Sequence, residues 1–253
     1  MSAIPVSAAA PAGEIEFASP TGLIEHLDTR VAQILSEVEA SAPWAAVARG
    51  KSDERIRRVL RELYLEIFLY QADSIEAAVA SIAQMPRTLP VSYFDEMLHH
   101  QVEEFDHGEM ALRDYIALGG DEAYARNCPQ SPGSFAVAAI WRNITHKRDP
   151  FAYLGAVYLF DALTPILTAK AKAALARNDG SVAGMEFITH HATADIEHAK
   201  LIRNLITDVA AFFPDRMSSI ANGFEYFAFV YPLAVWSQVF KRAAIGDTQF
   251  CMA

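Results

Sequence analysis

From about residue 21 to residue 245 the apolar residues of this chain recur at helical spacing, and no stretch alternates as a strand would. Leu23, Ile24, Leu27, Val31 and Ile34 line the first such face and predict a helix over about 21–40. Ser52 is placed to cap the next, with Asp53 and Glu54 in its first turn, and Pro86 ends it after Met85. Ser92 opens a third, which closes on the glycines of LGG at 118–120. Ser134 opens a fourth, to about Lys147. Asp149-Pro150 then breaks the chain and starts a fifth, over about 151–177. A sixth is expected over about 183–213, stopped by Pro214, and a last over about 216–245. Pro165 and Pro232 fall inside these patterns and predict local kinks. Seven long helices on short connections, with no repeat and no linker, predict one all-α domain over 20–253. The opening MSAIPVSAAAPAGEIEFASP is rich in small residues and proline, and residues 1–19 are expected to form a flexible tail.

Composition narrows the class. The chain has 253 residues, 52% of them hydrophobic, which is enough to bury a core and argues against disorder. A net charge of −10 leaves no electrostatic footprint for nucleic acid. The longest apolar run, FEYFAFVYPLAVW at 224–236, contains Glu225 and Pro232 and is shorter than the ~20 residues of a membrane span. A buried core helix is expected there, and no membrane partner. The two cysteines, Cys128 and Cys251, make neither a disulfide framework nor a C-x2-C metal site. The start lacks the basic and apolar segments of a signal peptide, so the cytoplasm is the expected location.

Chemistry is concentrated in three places. HHATADIEH, residues 190–198, puts His191, Asp195 and His198 at i, i+4 and i+7, which on a helix is one face. QVEEFDHGEM, residues 101–110, contains Glu104 and His107 at i, i+3. Met97, Ala111 and Leu118 share that face and turn it inward. Asp106 lies off the face, and Glu103 at its edge is expected in solvent. Asp161 is the single charge in YLGAVYLFDALTPIL and needs a partner or a cation. Two readings of these groups stand at this level. They form a hydrogen-bonded polar cluster, or three carboxylates and three imidazoles bind metal. Mixed oxygen and nitrogen donors on facing helices suit iron or manganese better than the thiolate sites of structural zinc.

The order of these motifs resembles the heme-oxygenase-like diiron oxidases and oxygenases, over about residues 20–245. E-x2-H comes first, then a lone acid in an apolar helix, then H-x3-D-x2-H. The resemblance implies a seven-helix heme-oxygenase-like bundle holding two iron ions, whose Fe(II) form reacts with O2. Carried over by position, it implies Glu104, His107, Asp161, His191, Asp195 and His198 as metal ligands. The middle acid is commonly Glu; Asp161 is one methylene shorter, which puts its bridging of two metals in doubt. Ligand type does not separate manganese from iron. His100, one turn before Glu104, is expected to support the ligands. His26 is the one match to an early heme ligand, but a heme reading leaves the six-residue set unexplained. Cys128, in NCPQSPG, has nothing to recommend it as a nucleophile.

The expected function is an O2-dependent oxidation of a small molecule, first of all N-oxygenation of an amine or another oxidation of an amino-acid-like compound. Oxidative decarboxylation or desaturation of an aliphatic acid comes second, followed by a non-enzymatic iron-binding protein. Tyr158 and Phe187 are near ligand positions by helical spacing, with core packing the favoured role for both. The electron donor is not specified by sequence, and a homodimer stays open.

Overall fold

The computed structural model describes residues 15–48, 54–146, 149–176, 184–192 and 195–245, with only the backbone of Arg55, Asp195, Ile196 and Ile245. Among the described residues there is no strand. The first helix, α1 (Pro20–Ala40), starts where Ser19 Oγ accepts from the Gly22 amide at 3.1 Å, and buries the predicted face from Leu23 to Ile34 and on to Val38. The short α2 (Ala42–Ala48) follows, then α3 (Glu54–Gln84), which stops just before Pro86. The expected cap at Ser52 and Asp53 lies outside the described residues, as does the tail over 1–14.

The predicted third helix is two helices, α4 (Val91–Glu104) and α5 (His107–Ala117), parted at Phe105–Asp106. A short α6 (Glu122–Asn127) starts at Asp121, whose carboxylate accepts from the Tyr124 amide at 3.0 Å. α7 (Pro132–His146) begins where Ser131 Oγ accepts from the Ser134 amide at 3.1 Å. α8 (Pro150–Ala176) runs through Pro165.

The predicted sixth helix is again two, α9 (Glu186–His191) and α10 (Asp195–Phe212). After a 3₁₀ turn at Pro214–Arg216 come α11 (Met217–Val230) and α12 (Leu233–Ile245), separated at Tyr231–Pro232, where proline offers no N–H to continue the ladder. The seven expected helices are thus recovered as positions along the chain, three of them broken in two, with α2 and α6 added.

The helix α8 is the axis of the packing. It is buried along nearly its whole length and touches α1, α2, α3, α7, α9, α10 and α11. By length and composition α8 could cross a membrane, but 89% of its apolar window is buried inside the fold. Its closest neighbour is α11. A Cβ on Gly155 would lie 1.8 Å from the Ile220 carbonyl oxygen, and one on Gly223 would lie 1.8 Å from that of Ala152. The two backbones therefore meet where both side chains are hydrogen. This contact fixes the height of Asp161, less than two turns further along α8.

Candidate metal centre

Glu104 ends α4 with its side chain buried, and each of its carboxylate oxygens faces a different pair of imidazoles. Oε2 lies 2.7 Å from His107 Nδ1, which is 3.1 Å from His191 Nε2. Oε1 lies 3.2 Å from His198 Nδ1 and 3.8 Å from His100 Nε2. Two groups that could each hold a metal ion result, Glu104–His107–His191 and Glu104–His100–His198. They share the one carboxylate. All five residues are buried.

The positions come from local structure rather than from one continuous helix face. Glu104 and His107 sit on either side of the α4–α5 break, so their pairing is made across a turn and not within a helix. His191 closes α9 and His198 lies on α10, so the expected single face of His191, Asp195 and His198 does not exist as one helix. The Asp195 side chain lies outside the described residues. Asp161 reaches the centre beside His100, its Oδ2 3.4 Å from His100 Nε2, and belongs to neither group of three. The residue common to both groups is Glu104. His100, expected as a support, stands among the donors themselves. Glu103, expected in solvent, turns one oxygen inward to His198 Nε2 at 3.0 Å.

Each of three imidazoles is held by its far nitrogen. His191 Nδ1 donates to the Phe187 carbonyl at 2.8 Å, because a carbonyl can only accept. Its Nε2 therefore carries a lone pair toward Glu104 and His107. His198 Nε2 is held by Glu103, leaving Nδ1 toward Glu104. His100 Nδ1 is 2.9 Å from Gln101 Nε2, which is 3.2 Å from the Tyr153 hydroxyl. Half a turn of the Gln101 amide lets its carbonyl oxygen accept from both His100 Nδ1 and Tyr153, and frees His100 Nε2 as a donor of electrons. Fixing one ring nitrogen so that the other faces the centre is how proteins orient metal-binding histidines.

The protonation balance favours a cation. At the first group, a carboxylate oxygen and the His191 lone pair converge on a single proton, that of His107 Nδ1. Burial, with the neighbouring His107 adding to it, lowers His191 to about 3. Burial likewise lowers His100 to about 4, against the pull of Glu104. Both rings are neutral near pH 7. Burial pushes the Glu104 carboxyl up, but the hydrogen bond from His107 and the surrounding imidazoles together hold the group well below the usual carboxylate range. Neutral imidazoles and an ionised bridging carboxylate are the ligand forms that a divalent ion takes.

Behind the site, Phe187 stacks on His191 with ring centroids 3.7 Å apart. Its backbone N–H donates to Asp114 Oδ2 at 2.8 Å, and that of Glu186 to Asp114 Oδ1 at 3.1 Å. Asp114 of α5 thereby caps α9 and ties the helix carrying His107 to that carrying His191. Tyr158 points away and donates to Asp28. A small cavity of ≈ 30 Å³ opens beside His100, Glu104 and Asp161, walled by Trp141, Val157 and Phe160. The Trp141 indole Nε1 is buried without a hydrogen-bond partner. His26 lies elsewhere, 4.0 Å from Glu225, and Cys128 sits at the end of α6.

The centre of this helical fold offers two imidazole pairs around one carboxylate that could hold metal ions. The architecture matches a domain of unknown function with a heme oxygenase-like fold from Shewanella denitrificans. That structure is 20% identical, with a TM-score of 0.70 over 88% of this chain and 94% of that one. A TenA homologue from Pyrococcus furiosus superposes with a TM-score of 0.65 at 12% identity, covering 86% and 99% of the two chains. Another, from Pseudomonas syringae, gives 0.65 at 9% identity, covering 90% and 96%. These likenesses establish the fold. No curated protein matches the chain. The sequence profile of one family does, over residues 67–231, and the chain belongs to that family, the iron-containing redox enzymes.

Proposed function

We propose that this protein is an O2-dependent nonheme diiron oxidoreductase acting on a small amine or amino-acid-like molecule. The observation that carries the reading is the division of Glu104, with one oxygen toward His107 and His191 and the other toward His100 and His198. One carboxylate serving two imidazole pairs is a ligand set for two ions rather than one. Asp161 would complete the second position, beside His100. When bound, two ferrous ions would supply the electrons that activate O2 beside the substrate. The chain itself supplies imidazole rings held by Phe187, Gln101 and Glu103, and apolar walls from Val157 and Phe160.

The cavity, at ≈ 30 Å³, has room for a water-sized polar group at the end of a substrate rather than for a whole molecule. Its lining contains the carboxylates of Glu104 and Asp161, and no lysine or arginine. That setting suits an amine nitrogen better than the head of an aliphatic acid. A small amine head reaching this end of the site would meet both carboxylates.

Anaerobic Fe(II) titration followed by Mössbauer spectroscopy tests the reading. The expected result is about two irons per chain, in two environments, and iron-dependent O2 consumption stimulated by an amine substrate. His191→Ala should remove one environment, His198→Ala the other, and Glu104→Ala both. A parallel Mn(II) titration separates the two metals. A chain that takes up no iron, or that loses nothing on Glu104→Ala, refutes the proposal.

A further inference from the structure

Glu103 joins the protein surface to the buried centre, and we propose that with His99 it forms the intake station through which a divalent cation reaches His198. The inference rests on the metal-centre reading above. The Glu103 carboxylate spends its oxygens in opposite directions. Oε1 faces His99 Nε2 at 3.5 Å, and Oε2 faces His198 Nε2 at 3.0 Å. Beyond His198, its Nδ1 faces Glu104 Oε1 at 3.2 Å. Side-chain exposure falls along this row from 73% at His99 and 47% at Glu103 to 10% at His198 and 9% at Glu104.

Every member of the row offers an oxygen or nitrogen donor of the kind ferrous ion accepts. A buried site needs a path by which the ion exchanges water for protein donors, and a graded row lets it do so in steps. The net charge of −10 favours the approach of a cation. The other flank is less open to one, because Asp106 and Glu186 are already engaged by the Arg113 guanidinium at 2.9 and 2.8 Å. His99 and Glu103 are one helical turn apart on α4, so both can hold the same ion before it moves inward.

The test is stopped-flow mixing of the metal-free full chain with Co(II) under argon, read by d–d absorbance. The variant combines His99→Ala with Glu103→Gln. Glutamine removes the charge but keeps an oxygen to accept from His198. Uptake should slow about tenfold in the double variant and severalfold in His99→Ala alone, which leaves the Glu103–His198 contact in place and so should not change the final cobalt count or spectrum. Glu54→Gln, which removes one charge from the exposed start of α3, should change the rate by less than about twofold. The proposal fails if the double variant loads at the original rate, or if Glu54→Gln slows uptake equally. It also fails if His99→Ala alone leaves the rate unchanged while the double variant lowers the cobalt count, since Glu103 would then act only by holding His198. An unaltered chain that binds no cobalt overturns the metal centre and the intake station together, a result distinct from the others.

Discussion

Asp114→Asn is expected to loosen the candidate centre without touching a proposed ligand. In the native chain Asp114 accepts from two backbone amides at the start of α9, at 3.1 and 2.8 Å. Asparagine keeps one acceptor and turns an NH2 toward the Phe187 N–H. The hydrogen bond lost is one to a charged group in a buried site, worth about 1.5–3 kcal/mol. Loss of negative charge at a helix N-terminus adds about 0.3–1 kcal/mol. Burial raises the Asp114 carboxyl, ahead of the opposing amide hydrogen bonds, so a neutral side chain recovers part of the desolvation. The net expectation is about 2 kcal/mol, or a fall of about 4–8 °C in Tm for a chain of this size. The second effect is specific to the site. Phe187 would no longer be pinned at its N–H, and its carbonyl would hold His191 less well. Metal affinity should drop about 10–100-fold. Thermal melts at pH 7 and Co(II) titrations measure the two quantities. A variant that melts within about 1 °C of the native chain and binds cobalt equally well would refute the link from Asp114 through Phe187 to His191.

Gly155→Ala or Gly223→Ala should cost about 3 kcal/mol or more, because the new methyl lands 1.8 Å from a carbonyl oxygen of the facing helix; denaturant melts or the loss of soluble protein will report it. The metal-free chain should lose stability as pH falls below 6.5. His191 and His100 bind protons near 6.5 when unfolded but only at about 3 and about 4 when folded, so the unfolded state gains protons throughout that window. Each contributes a loss of about 2 kcal/mol at pH 5 relative to pH 8, measurable by urea melts at the two pH values. Metal removal should lower Tm. Two sites held at a free-ion concentration of about 100 Kd add about 5 kcal/mol, so chelation should cost about 10–20 °C by calorimetry.

The helical class was legible because the apolar faces keep their period through breaks. Met97, Ala111 and Leu118 are buried on the inward side, as their spacing implied, although α4 and α5 are separate helices. Glu104, His107, His191 and His198 stand out in the sequence because each sits in a recognisable spacing, and the structure brings them together. The spacing misled about how they meet, since both motifs cross a helix break. The break after His191 has no proline or glycine beside it to announce it, and the one after Glu104 has only Gly108, inside the first turn of α5. His100 carried a signal, one turn before Glu104, but its rank as a donor depends on Gln101, which no motif marks. The roles of Glu103 and Asp114 depend on partners about 70–95 residues away in sequence, and only packing brings such pairs together. The α8–α11 contact was invisible for a different reason: it is made of the absence of side chains.

The sharing of Glu104 has a thermodynamic consequence. If both positions fill, the ions are linked ligands of one carboxylate, and the affinity of each depends on whether the other is present. That dependence is reciprocal. Whatever factor an ion between His107 and His191 imposes on binding between His100 and His198, the second imposes on the first. A substitution at His100 would therefore reappear as altered affinity on the His191 side, through a carboxylate that neither residue shares with solvent.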